Sequence, residues 1–191
     1  MNTNDNLKVN LSLKGFSSIQ VGLYFVIAAY LIEAILKGFL IDDNTMGMLS
    51  AEIIEIFVLV IAILTFLFSS FAIYFKSRRV SKKLGNPLWN PKTKTAIGIY
   101  IFSFMVIFSI LIFLMNQGFI DYIVPVFLIL YAIVIFILRD QEDKGSLLIS
   151  GICLLLATLC FLIPTYWYSS LVILGLTHIT FGVLKKTNSI S

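Results

Sequence analysis

The chain has 191 residues, of which 59% are hydrophobic and 13% are charged, and its mean hydropathy is +0.99. Soluble domains contain about half apolar and about a quarter charged residues, so this composition excludes an ordinary soluble protein and predicts an integral membrane protein. The formal net charge of +4 does not indicate nucleic-acid binding, because the basic residues cluster beside apolar segments. In that position they orient a membrane protein and attract anionic headgroups.

Six apolar segments are long enough to cross the hydrocarbon core of a bilayer, which requires about 17 to 25 residues per helix. They are residues 19–40, 53–75, 96–115, 122–138, 146–163 and 166–184. The sequence therefore predicts an all-α polytopic fold, in which six transmembrane helices form three helical hairpins. The predicted six-helix domain covers residues 19–186, after an N-terminal arm at 1–18 and before a tail at 187–191.

The basic residues predict how this bundle is oriented, because cytoplasmic loops of membrane proteins are enriched in lysine and arginine. Of the fourteen, only Lys37 falls on the predicted outer side. The other thirteen face the opposite side: Lys8, Lys14, Lys76, Arg78, Arg79, Lys82, Lys83, Lys92, Lys94, Arg139, Lys144, Lys185 and Lys186. The sequence therefore predicts a multi-pass cell-membrane protein whose N- and C-termini are both cytoplasmic.

A predicted cytoplasmic loop at residues 76–95 contains seven of these basic residues around the sequence GNPLWNP, whose proline steps oppose helix formation. One interpretation is that the charges only set the topology. The other is that they also bind anionic lipid headgroups, with candidate contacts at Arg78, Arg79, Lys82, Lys83 and Trp89. Membrane lipids are the predicted partners, together with a protein partner or a second copy of the chain, and no nucleic acid is expected.

Ionisable groups inside membrane spans are functional candidates by default. Glu33 lies in the outer third of the first span, and Lys37 follows at i+4 in the order that favours an ion pair on a helix. A local ion pair, with Lys37 extending to the membrane surface, accounts for both residues. The alternative is that Glu33 faces the bundle interior as a proton or cation site.

His178 is the only histidine and lies slightly inside the midplane of the sixth span. Gly175 and Gly182 share its helical face, and small residues at such positions let a neighbouring helix approach closely. We expect the imidazole to form a hydrogen bond across that contact, to Thr158, Ser69 or a backbone carbonyl. The alternative is a histidine that relays protons or binds a ligand.

Signatures of catalysis are missing from the sequence. A single histidine excludes the usual multi-histidine metal site, and the G-x-S-x-G nucleophile motif does not occur. Cys153 and Cys160, the only cysteines, are predicted to be small buried side chains in the fifth span. We therefore predict a protein without enzymatic activity, catalytic residues, bound metal or cofactor.

Glycine and proline mark the last predicted hairpin, residues 145–186, which reads GSLLISGICLLLATLCFLIPTYWYSSLVILGLTHITFGVLKK. Gly151 lies in its first helix, Pro164 at its turn, and Gly175 and Gly182 in its second helix. This stretch resembles the hairpin repeat of the HdeD family, small inner-membrane proteins built from three such units. The resemblance implies a membrane protein linked to stress or acid tolerance, and it brings no catalytic residues.

The leading functional prediction is a small integral membrane protein without catalytic activity, related to stress or acting as an accessory subunit that binds a partner. The alternative is a small proton-coupled transporter or channel subunit that uses Glu33 and His178 in an internal polar path.

Overall fold

The computed structural model describes residues 16–40, 51–84, 89, 91–138 and 144–187. Six helices follow one another along the chain: α1 (Phe16–Leu40), α2 (Ala51–Leu84), α3 (Pro91–Asn116), α4 (Ile123–Leu138), α5 (Lys144–Leu162) and α6 (Trp167–Thr187). These ranges contain no strand. All six helices are long and apolar enough to cross a membrane, which confirms the predicted all-α polytopic fold.

The region that the sequence assigns to a basic loop is mostly helical. The second helix continues to Leu84 and the third begins at Pro91, so residues 76–84 and 91–95 are helix and the prediction of a loop over 76–95 is wrong there. Lysine, arginine and leucine are good helix formers, which explains the extension of α2. Proline is accepted at the first position of a helix, where its missing N–H leaves no bond unmade.

A glycine ends the third helix. Gly118 has a φ of +76°, a conformation that L side chains rarely adopt. Its N–H donates to the carbonyl of Met115 at 2.9 Å, and the N–H of Phe119 donates to the carbonyl of Leu114 at 2.9 Å. These two bonds are the Schellman pattern that closes a helix C-terminus, and they turn the chain from α3 into α4.

Short connections place consecutive helices antiparallel. One end of the bundle, called the basic end below, holds the beginnings of α1, α3 and α5 and the ends of α2, α4 and α6. Its described basic side chains are Lys76, Arg78, Arg79, Lys82, Lys94 and Lys185, whereas the described acids Glu33, Glu55 and Asp121 lie toward the opposite end. The interior lies where α1 packs along α6 and α4 along α5. Its largest cluster comes from α4, α5 and α6: Leu128, Ala132, Ile135, Ile149, Cys153, Leu156, Ala157, Cys160 and Leu174.

The second and third helices are peripheral. Only 11% of the membrane window of each is buried, compared with 39% for α5, because α2 packs mainly on α1 and α3 mainly on α4. Aromatic side chains fill the space between them, with Phe66 stacked on Tyr100 at 5.0 Å between ring centroids. The hydroxyls of Ser70 and Tyr100 form a hydrogen bond of 2.9 Å across the same seam.

Candidate functional site

The first and sixth helices cross at two glycines. A Cβ on Gly22 would overlap the carbonyl oxygen of Gly175 and would lie 2.9 Å from the Cβ of His178. A Cβ on Gly175 would lie 2.7 Å from the carbonyl oxygen of Gly22 and 2.6 Å from a methyl group of Val26. Real Cβ atoms essentially never approach other atoms this closely, so the two backbones touch only because both residues lack a side chain.

This crossing brings His178 into a closed polar cluster. Its side chain is fully buried, and its Nε2 lies 3.0 Å from the hydroxyl of Tyr131 on α4. On α1, the hydroxyl of Ser18 donates to the backbone carbonyl of His178 at 2.8 Å and lies 3.4 Å from its Nδ1. The pattern matches one neutral tautomer, in which Nδ1–H donates to Ser18 and Nε2 accepts from Tyr131. Both ring nitrogens therefore have partners within the protein.

Aromatic rings enclose the same imidazole. Phe25 stacks on His178 with ring centroids 6.0 Å apart and an angle of 12° between planes. Phe25 also meets Tyr131 edge-on at 5.4 Å, and Phe127 stacks on Tyr131 at 5.6 Å. The cluster thus joins α1, α4 and α6 around one polar centre, and burial of its polar groups costs little because each is hydrogen-bonded.

The hydrogen-bond partners expected from the sequence are wrong. Thr158 is exposed and donates to the carbonyl of Leu154 on its own helix at 2.6 Å. Ser69 likewise donates within α2, to the carbonyl of Thr65 at 2.7 Å. Threonine and serine in membrane helices often bond back to the preceding turn, and this local bond satisfies both hydroxyls without a second helix.

Glu33 and Lys37 form the expected ion pair. The ammonium nitrogen of Lys37 lies 2.7 Å from a carboxylate oxygen of Glu33, and their side chains are 70% and 21% exposed, respectively. Glu33 follows Gly22 by eleven residues, a rise of about 16 Å along α1. Because Gly22 lies beside His178, the structure does not bring Glu33 and His178 together.

Two further glycines lie closer to the basic end: Gly182, which the sequence predicts as a packing residue, and Gly145, which it does not. Gly182 is buried on α6. On α5, a Cβ at Gly145 would fall on the ring of Phe181, and the ammonium of Lys185 lies 4.9 Å from the centre of that ring. Sequence reasoning did not single out Gly145 because the start of a predicted span is also a common place for a turn glycine.

The candidate lipid contacts lie on the helical extension of α2 and just before α3. Arg78, Arg79 and Lys82 are exposed, and Trp89 is exposed to 56%. The side chain of Lys83 lies outside the described part of the chain. Two residues before Arg78 on α2, Lys76 donates to the hydroxyl of Ser17 on α1 at 3.2 Å.

The geometry of the described residues and the comparisons with known proteins do not indicate a chemical reaction. Within the described residues, no three His, Cys, Asp or Glu side chains are grouped closely enough to hold a metal ion. No family model matches the chain, and neither a curated protein nor a solved structure matches it. The resemblance of residues 145–186 to the HdeD family therefore stays a prediction.

Proposed function

We propose that the chain is a non-enzymatic membrane protein that acts as an accessory subunit, in which His178 holds helices together. The observation that carries this proposal is the closure of the histidine site. The imidazole is fully buried, and its two nitrogens face Ser18 and Tyr131. A histidine that relays protons must exchange them with water, a carboxylate or a second histidine. The partners of His178 are instead two hydroxyl groups, and hydrogen bonds of this kind fix helices to one another.

The surroundings of the site support the same conclusion. Between His178 and the level of Glu33, the buried side chains of α1 include Ala28 and Ala29, which cannot carry a proton. The ring of Phe25 covers one face of the imidazole. A path that uses both ionisable residues would therefore have to cross an apolar layer of the bundle.

The accessory role is supported by the distribution of exposed surface. The second and third helices bury a small share of their membrane windows, so they present broad faces to lipid or to another membrane protein. No described segment outside the bundle is large enough to form a catalytic domain. The placement in the cell membrane with the basic end in the cytoplasm belongs to this proposal and follows from the positive-inside rule.

A small proton-coupled transporter or channel subunit is the second candidate, and one observation favours it. Ser18, His178 and Tyr131 form a continuous polar chain across three helices, and the hydroxyl of Ser17 beside them reaches Lys76 near the basic end. A rearrangement that opened this chain to water would create a short path from one face of the membrane.

Four variants separate the two functions: His178→Asn, Glu33→Gln, Gly175→Leu and Gly182→Leu. Each is measured for thermal stability in detergent and for proton flux in liposomes. For a packing histidine, we expect no flux from any protein, a small loss of stability in the two polar variants and a large loss in the glycine variants. Wild-type flux that disappears in both polar variants at unchanged stability would establish the transporter instead.

A further inference from the structure

The helical extension of α2 presents its charges on one side. At 3.6 residues per turn, Arg78, Arg79 and Lys82 fall within about 100° of the helix surface, and all three are exposed. Ser77 and Ser81 fall on another side and are buried at 3% and 5% exposure. The burial of these two serines shows which side of the helix meets the rest of the protein, so the basic side faces away from it.

The depth of these charges matches a headgroup layer. By length and composition, the candidate membrane span of α2 ends at Arg79, and the rise from Arg78 to Lys82 is about 6 Å at 1.5 Å per residue. The headgroup layer of one leaflet is about 5 to 7 Å thick, by the difference between the whole bilayer and its hydrocarbon core. If the span ends there, we expect the basic side of α2 to lie at the level of the lipid phosphates.

The beginning of α3 adds charge at the same depth. The candidate membrane span of α3 starts at Thr93 by length and composition, and Lys94 directly after it is exposed. Trp89 is exposed just before the helix begins, and exposed tryptophan favours the interface between headgroups and water. The hydroxyls of Ser70 on α2 and Tyr100 on α3 form a hydrogen bond, and only six residues separate the end of α2 from the start of α3, so both basic segments lie at the same end of the bundle.

The whole chain is polarised in the same sense. In the topology that the sequence predicts, the side that holds the basic end has thirteen basic and four acidic residues, and the opposite side has one basic and six acidic residues. The described acids, Glu33, Glu55 and Asp121, lie toward the opposite end of the bundle, so they cannot neutralise the basic side of α2. All four acids on the predicted inner side, Asp5, Asp140, Glu142 and Asp143, lie outside the described residues.

We propose that the exposed basic side of α2, formed by Arg78, Arg79 and Lys82 and extended by Lys94 and Trp89, binds the phosphodiester headgroups of anionic phospholipids. Arginine pairs with phosphate through two parallel hydrogen bonds, and lysine adds a point charge. The proposal does not depend on the accessory function, because lipid binding is measured without any partner protein.

The test uses Trp89 as a local probe. In a Trp167→Phe background Trp89 is the only tryptophan, and its quenching by lipids brominated near the headgroup reports which lipid lies beside it. The protein is reconstituted in mixtures of phosphatidylglycerol and phosphatidylcholine, with the bromine on either lipid. The ratio of the quenching by brominated phosphatidylglycerol to the quenching by brominated phosphatidylcholine gives the association constant of the anionic lipid relative to the zwitterionic one.

Each cation near a membrane surface changes lipid affinity by roughly fivefold. We expect Arg78→Gln, Arg79→Gln and Lys82→Gln each to lower the relative association constant by about that factor, and the triple variant to lower it on the order of 100-fold. The variant with Arg78→Lys, Arg79→Lys and Lys82→Arg keeps the charge and should keep most of the preference. Circular dichroism and the thermal midpoint check that each variant is folded. If the triple variant does not fold, the three single variants test the proposal.

A charge-matched control separates a local site from overall charge. Lys8→Gln, Lys14→Gln and Lys186→Gln together remove three charges from the same side of the chain but none from the α2 extension, and this variant should keep the preference. An equal loss of the preference for anionic lipid in both triple variants would overturn the proposal. It would also be overturned if the wild-type protein had no such preference, or if the preference were unchanged after removal of the α2 charges. Displacement of brominated phosphatidylglycerol by inorganic phosphate at constant ionic strength would also overturn it, since the surface would then select a soluble anion.

Discussion

The carbonyl oxygen of Gly22 lies 2.7 Å from the point where a Cβ of Gly175 would be, so α1 and α6 meet backbone to backbone. Ser18 lies one turn before Gly22, and His178 lies one turn after Gly175. Since the two helices run antiparallel, the glycine contact sets the separation at which Ser18 and His178 form their hydrogen bond. The polar cluster therefore depends on the apolar crossing beside it.

We expect Gly175→Ala to destabilise the bundle. The added methyl group would collide with Val26 and with the backbone of Gly22, and forced overpacking costs about 1 to 3 kcal/mol. Alanine is intrinsically a better helix former than glycine by about 0.8 to 1 kcal/mol, so the net loss is smaller than the collision alone. The thermal midpoint in detergent measures it.

Gly151→Ala is the matched control, because Gly151 is exposed on α5 and a Cβ there would meet nothing within 4 Å. The same gain in helix propensity then appears without a collision, and we expect an unchanged or slightly raised midpoint. Equal midpoints for the two alanine variants would show that the glycine crossing does not limit the approach of α1 and α6.

Tyr131→Phe isolates the hydrogen bond to His178. Phenylalanine keeps the ring that packs against Phe25 and Phe127 and removes only the hydroxyl. Hydrogen bonds between membrane helices contribute about 0.6 to 2 kcal/mol, so we expect a modest fall in thermal midpoint with the fold intact. Tyr24→Phe removes a hydroxyl from a residue that packs beside Phe68 and serves as the control. A midpoint for Tyr131→Phe no lower than that control would argue against a stabilising bond.

The number of helices and the presence of the Glu33–Lys37 pair could be read from the sequence, because both depend on local spacing. Length and apolar composition define a span, and an i, i+4 pair needs no information about other helices. Gly175 on α6 could also be singled out as a packing residue from the sequence. Its partner Gly22 could not, since nothing in the sequence says that α1 rather than another helix lies against α6.

The partners of His178 could not be predicted for a related reason. In a soluble helix, the apolar side reveals which face is buried, but lipid is as apolar as the protein interior. Leu128 is fully buried and Ile137 is exposed on the same helix, although the two side chains have similar chemistry. Without a hydrophobic face to orient α4, Tyr131 could not be assigned to the interior.

Lys37→Gln should destabilise the protein more than the double variant Glu33→Gln with Lys37→Gln. The single change leaves the partly buried carboxylate of Glu33 without the ammonium that now lies 2.7 Å away, and an unpaired charge inside a span is costly. The double change removes both charges. Thermal midpoints of Glu33→Gln, Lys37→Gln and the double variant, together with the wild type, complete a double-mutant cycle, and additive effects would show that the pair is not coupled.

The orientation of the bundle is tested by cysteine labelling with a membrane-impermeant maleimide. Cys153 and Cys160 are buried, so the wild-type protein gives the background signal. Gln117 and Thr165 are exposed at the turns opposite the basic end, and Lys82 and Trp89 are exposed at the basic end. We expect Gln117→Cys and Thr165→Cys to react in intact cells, and Lys82→Cys and Trp89→Cys to react only after permeabilisation.

The prediction of this orientation rests on the uneven charge of the two sides. With thirteen basic residues on the predicted inner side and one on the predicted outer side, the inverted bundle would carry its positive charges to the positive side of the membrane potential. Each charge moved across costs about 2.3 kcal/mol per 100 mV.

A combined variant with Arg78→Gln, Arg79→Gln, Lys82→Gln, Gln117→Lys and Thr165→Lys reduces this bias. In that background, a fraction of the Trp89→Cys protein should react in intact cells. Reaction of Trp89→Cys without the added changes would show that the basic end lies outside, and the predicted topology would be inverted.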